Sequence, residues 1–111
     1  MKFVVPSMVV LLASTTLAHA QDGDARRGLS LVRQVCAECH AVQAQELKSP
    51  NPKSPTFPEL AKTPGMTSAA LTVALTTPHA GMPMFRLSAD QRADIIAYVL
   101  SLKQQGAQPG K

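Results

Sequence analysis

The run Cys36-Ala37-Glu38-Cys39-His40 constrains this chain more than any other stretch. C-x-x-C-H is the attachment signature of c-type haem. Two thiols at this spacing add across the two vinyl groups of one porphyrin, and the adjacent imidazole then lies close enough to bind the iron. Parts of the run have other readings: a bare C-x-x-C is also a redox dithiol or half of a zinc site. The dithiol leaves His40 without a role, and zinc needs a second ligand pair that this chain lacks. With no other cysteine, a disulfide could join only Cys36 to Cys39, a small loop with little entropic benefit.

The first twenty residues read as an export signal. Lys2 supplies the positive start, Phe3 to Ala13 is apolar apart from Pro6 and Ser7, and Ala18-His19-Ala20 gives a small-x-small cleavage pattern. The apolar run is shorter than the ~20 residues needed to span a bilayer; the alternative is an uncleaved anchor. The expected layout is a signal peptide over 1–20 and one domain over 21–111, with no stable membrane insertion after cleavage. The mature chain then starts at Gln21 in the periplasm, and His19 is excluded from any site. Export fits the motif, because covalent haem attachment in bacteria takes place outside the cytoplasm.

The 91 residues from Gln21 to Lys111 make one domain. A domain of this size buries only a little over ~60% of its unfolded surface. Its aromatic content is small: one Tyr, three Phe of which Phe3 is in the signal, and no Trp. A large apolar cofactor at the centre makes up that shortfall. After the signal, ten Lys and Arg stand against seven Asp and Glu, and two haem propionates would bring the balance of +3 to about +1. With no basic run either, nucleic acid is not an expected partner.

Along the chain, Asp22 or Asp24 caps a first helix running to about Val35, with Ala25, Gly28 or Leu29, Val32 and Cys36 at helical spacing. Gly28 inside that helix costs ~1 kcal/mol relative to Ala, which suggests either close approach of another backbone or ring or, equally, a tolerated accident. Five prolines between Pro50 and Pro64 stiffen a loop with nothing longer than a turn, including one short turn from Thr56 to Leu60. Thr67 or Ser68 caps a middle helix from Ala69 to about Thr77, with Leu71 and Leu75 on one face, and Pro78 ends it. Ser88 and Gln91 form a capping box for a last helix, whose apolar face is Ile95, Val99 and Leu102 flanked by Ile96 and Leu100. No strand-like alternation occurs, so the chain reads as all-α.

With His40 on one side of an iron, the occupant of the sixth position decides the function: a thioether favours an electron carrier, an open site small ligands or peroxide. Met66, Met82, Met84 and His79 are available. Met66 is the more usual core filler, and Met84 competes with Met82 but has packing as its ordinary role. His79 is a stronger base, yet a lone loop histidine is usually solvated. Met82 is followed by Pro83, which stiffens the loop that presents its sulfur.

The order of these features resembles the class I cytochromes c, specifically the small single-haem proteins of the bacterial periplasm. It consists of Cys36-x-x-Cys39-His40 after a helix with an internal Gly28, then Ser54-Pro55-Thr56-Phe57, Gly81-Met82-Pro83-Met84-Phe85, and Leu87-Ser88 before a helix containing Ala97-Tyr98. The resemblance covers Asp24 to Leu102 and excludes the cytochrome c′ type, whose attachment motif lies near the C-terminus. It implies an all-α fold of about three main helices plus a proline-rich loop around one covalently attached haem c. Cys36 and Cys39 would form the thioethers, His40 would be the proximal ligand and Met82 the distal one. It also implies that the Pro55 carbonyl accepts a hydrogen bond from His40, that Gly28 and Tyr98 meet where first and last helices cross, and that Met84 and Phe85 pack near the haem. The absence of Trp and the Pro50–Pro58 loop depart from the mitochondrial pattern, which leaves the propionate donors unassigned.

The function expected from these readings is a monomeric, non-enzymatic electron carrier. Its expected partners are redox proteins: a periplasmic dehydrogenase, reductase or terminal oxidase. Arg86 and Lys48 or Lys53 are candidate rim charges. Two alternatives stay open: a dedicated haem c subunit of a dehydrogenase or oxidase complex, and a peroxidase or gas sensor with an open sixth site and His79 as acid–base group.

Overall fold

The computed structural model describes residues 1–3 and 23–105, so the expected signal segment lies almost wholly outside the described residues. The described residues are helical: α1 Ala25–Val35, α2 Phe57–Lys62, α3 Ser68–Thr76 and α4 Ala89–Gln105. Extended pairing among them is limited to an isolated antiparallel bridge between His79 and Met82. The all-α fold class is as expected, and α1, α3 and α4 are the three main helices.

Each helix starts where a side chain satisfies its free amides. Asp24 caps α1 by accepting from the Arg27 amide at 2.9 Å. Thr67 caps α3 by accepting from Ala70 at 3.2 Å. At α4, Ser88 Oγ accepts from the Gln91 amide at 3.1 Å while Gln91 Oε1 accepts from the Ser88 amide at 2.9 Å, the reciprocal pair expected there. The Pro50–Pro64 stretch departs from expectation, since α2 runs for six residues rather than one turn. A second capping box explains this: Thr56 accepts from Glu59 N at 3.1 Å and Glu59 accepts from Thr56 N at 2.8 Å. Pro58 sits in the first turn, where no amide hydrogen is required.

α4 packs against each of the other three helices, most extensively against α1. At that crossing a Cβ on Gly28 would lie 2.0 Å from the Asp94 carbonyl oxygen and 2.8 Å from Tyr98 Cβ. The two backbones are therefore closer than any side chain at position 28 allows, as the resemblance implied for Gly28 and Tyr98. Beyond the crossing, Val32 and Cys36 of the α1 side meet a core that includes Ile95, Ile96, Val99 and Leu102.

A polar clamp that the apolar periodicity of α4 did not indicate closes the same crossing. Asp94 is buried, and its carboxylate accepts from the Asp24 amide at 2.7 Å and from Arg27 Nε and Nη2 at 2.9 and 3.1 Å. The Arg27 hydrogen bond, and after it the Asp24 amide, hold the Asp94 carboxyl below the usual carboxylate range. A carboxylate whose pKa is lower folded than unfolded adds stability above its unfolded value, and this is lost as pH falls through the folded one.

Two stability measurements check this crossing. Gly28→Ala is expected to cost about 1–3 kcal/mol, the usual range for overpacking, read as a lower denaturation midpoint of the holoprotein. Asp94→Asn is expected to lower the melting temperature most at neutral pH. The gap from wild type should narrow as pH drops below about 4, where the unfolded carboxyl is itself protonated; a gap independent of pH would contradict the clamp.

Candidate haem site

Position 36 ends α1, and the chain then tightens: His40 N donates to Cys36 O at 2.9 Å. This brings the two sulfurs and the imidazole to one side of the α1 terminus. Cys36 is buried and Cys39 half-buried, and neither is in a disulfide. Burial pushes the Cys36 thiol up to about 11. Among the described residues, no three or more His, Cys, Asp or Glu side chains converge to hold a metal ion by themselves.

His40 is held in one orientation. Its Nδ1 lies 2.7 Å from the Pro55 carbonyl oxygen; a carbonyl only accepts, so Nδ1 carries the hydrogen and Nε2 keeps its lone pair. Phe57 stands beside the ring, with centroids 5.4 Å apart and planes tilted by 56°. The following loop is pinned at several points. Phe57 N donates to Ala41 O at 2.9 Å, and the Tyr98 hydroxyl donates to Val42 O at 2.5 Å. Ser49 Oγ accepts from Ala41 N at 3.0 Å, and Glu46 accepts from Val42 N and Gln43 N at 2.8 and 3.0 Å. Sequence reasoning saw only a polar stretch here. Its polar side chains satisfy the backbone donors that follow His40, a role with no signature beyond composition.

Opposite the attachment segment, Pro78 follows the end of α3 and the chain makes a four-residue turn. Met82 N donates to His79 O at 3.3 Å, and Gly81 has φ of +80°. A positive φ at the third position of such a turn favours glycine, which gives Gly81 its role. Between the turn, α3 and α4 lies a cavity of about 540 Å³, within the roughly 300–1,000 Å³ of ligand and cofactor sites. Cys36, His40 and Met82 line it, with Leu71 and Leu75 of α3 and Ile95, Ile96 and Val99 of α4 among its apolar walls. An adjoining hollow of about 70 Å³ is lined by Cys36, Cys39, His40 and Met82 together with Pro83 and Phe85. All four residues singled out from the sequence line the smaller hollow, and Cys36, His40 and Met82 also line the larger cavity.

The remaining candidates fall differently. Met66 is half-buried against the core and also lines the large cavity. Met84 is 53% exposed, which removes it from the interior, and Phe85 is 37% exposed beside the smaller hollow. Lys53 is exposed and lines the large cavity, whereas Lys48 and Arg86 are simply exposed. His79 is exposed but not merely solvated: its Nε2 lies 2.9 Å from Met82 Sδ.

This donor set and its apolar surroundings fit a haem: two unpaired cysteines, an imidazole with a free Nε2 lone pair, a thioether across the space, and hydrophobic walls between. Comparison with known proteins points the same way. Residues 23–99 match the family model described as cytochrome C oxidase, cbb3-type, subunit III. The chain is 35% identical over 96 residues to a cytochrome c-552 of Bradyrhizobium diazoefficiens, an alignment covering 86% of this chain and 90% of that relative. No solved structure matches the chain. The chain belongs to the cytochrome c family, as a small class I-like member of this haem-carrying, electron-transferring group.

Proposed function

We propose that this protein is a single-haem c-type cytochrome that passes one electron at a time between redox partners through a His/Met-ligated iron. The observation that carries the reading is that Cys36, Cys39, His40 and Met82 line one hollow, beside a larger apolar cavity that Cys36, His40 and Met82 also line. The haem supplies a one-electron iron couple there. Cys36 and Cys39 would hold the porphyrin through thioethers, and His40 Nε2 and Met82 Sδ would bind its iron. The Pro55 carbonyl, 2.7 Å from His40 Nδ1, fixes the ring and raises its basicity. The walls from α3 and α4 keep water from the interior. This role needs no catalytic side chain, so we read the protein as a carrier rather than an enzyme.

The exposed Phe85, which lines the hollow with Met82, and its exposed neighbour Met84 offer a small apolar contact for a partner. Lys53 adds a charge at the cavity. Redox encounters of this kind bury little surface and are short-lived. The layout follows the sequence: a signal over 1–20, a haem domain over 21–111, and a monomer acting in the periplasm. Among the described residues no helix is long and apolar enough to cross a membrane.

A second reading, a dedicated haem subunit of an oxidase, is favoured by one finding: the matching family model is named for an oxidase subunit. Purification from the native membrane and periplasmic fractions separates it from a free carrier, since a subunit travels with its complex.

Absorption spectra of the holoprotein, oxidised and reduced, with and without carbon monoxide, test the ligand set. The expected result is low-spin iron in both states, a weak far-red band in the ferric form, and indifference to carbon monoxide. Met82→Ala is expected to lose the band and bind carbon monoxide, while Met84→Ala keeps the wild-type spectrum. A wild-type spectrum that shifts with carbon monoxide, or loss of the band in Met84→Ala alone, would contradict the assignment.

A further inference from the structure

His79 lies outside the attachment motif, and an exposed histidine on a loop ordinarily turns to water. Here the turn from His79 to Met82 sets the two side chains next to each other, and the imidazole faces the sulfur. Nε2 is 2.9 Å from Met82 Sδ, and Nδ1 is 3.3 Å from the Thr77 carbonyl oxygen. A thioether has lone pairs and no hydrogen. At 2.9 Å a nitrogen lone pair directed at sulfur would be repulsive, whereas a hydrogen on Nε2 makes the contact a donation to the sulfur. The Thr77 carbonyl is the other acceptor within reach of the ring, at the longer of the two distances.

Resting on the Met82 ligation proposed above, we infer that His79 is a positioning residue for the distal ligand, its Nε2–H donating to Met82 Sδ. A methionine side chain has three rotatable bonds and no preferred direction of its own. A donor held by the same turn restricts that freedom and occupies one sulfur lone pair, leaving the other for the iron. The hydrogen bond also draws electron density from the sulfur. A less electron-rich thioether donates less to ferric iron, so His79 shifts the couple further toward the reduced state. Met84, half exposed two residues on, has no comparable partner among the described hydrogen bonds of its side chain.

The test uses the holoprotein with His79→Ala and His79→Gln, and Met82→Ala as a reference. The readouts are the midpoint potential, the far-red ferric band and the rate at which carbon monoxide enters the reduced protein. His79→Ala is expected to lower the potential and to speed carbon monoxide binding roughly two- to tenfold, the equivalent of one ordinary hydrogen bond. His79→Gln keeps an N–H donor and is expected to recover part of both effects. A His79→Ala protein with wild-type potential and carbon monoxide rate overturns the inference, as does a His79→Gln protein as impaired as the alanine variant. If Met82→Ala leaves the wild-type spectrum unchanged, the ligand assignment itself has failed, and this inference fails with it.

Discussion

α1 and α4 approach so closely that their crossing leaves no room for a side chain at position 28. Bare backbone contact at Gly28 brings the two helices together, and the Asp94 carboxylate, bonded to Asp24 N and Arg27, holds them from the polar side. From that point Cys36 emerges at the end of α1, while Ile95, Ile96 and Val99 form one wall of the cavity. Tyr98 belongs to both functions. Its Cβ faces Gly28, and its hydroxyl reaches the Val42 carbonyl just after His40. A change at the crossing therefore disturbs both the attachment segment and the cavity wall.

The loops do a different job from the helices. With a marginal core and few aromatics, this chain cannot hold two long connections in place by burial alone. The first is fixed by hydrogen bonds, from Ser49 and Glu46 to the backbone after His40 and from His40 itself to Pro55. The second is fixed by covalent stiffness, with Pro78, the Gly81 turn and Pro83 flanking Met82. Such rigidity suits an electron carrier, whose ligands must stay put in both oxidation states.

Much of this was legible in the sequence because it rests on local chemistry. The capping pairs at Asp24, Thr67 and Ser88 mark helix starts through contacts three residues apart. Gly28 stood out because a glycine in mid-helix is costly without a reason, and the Asp94 carbonyl is that reason. The link from Pro55 to His40 came from family resemblance, since nothing in a proline betrays what its carbonyl accepts. Asp94 escaped notice because a lone acid on a helix looks solvated until its partners, Asp24 and Arg27, are seen across the fold. The length of α2 was missed because five nearby prolines read as a breaker, although Thr56 and Glu59 stood at capping-box spacing. From sequence, His79 is a loop histidine of the kind usually solvated, or an acid–base group for an open sixth site; only the folded turn reveals the sulfur beside it.

The most direct measurement is the intact mass of the exported, matured protein under denaturing conditions. A haem joined through Cys36 and Cys39 stays with the unfolded chain, so one species at the mass of the polypeptide plus a single haem is expected, with both thiols closed to alkylation. A mass equal to the polypeptide alone, with two thiols free to react, would contradict covalent attachment and with it the assignment of this cavity.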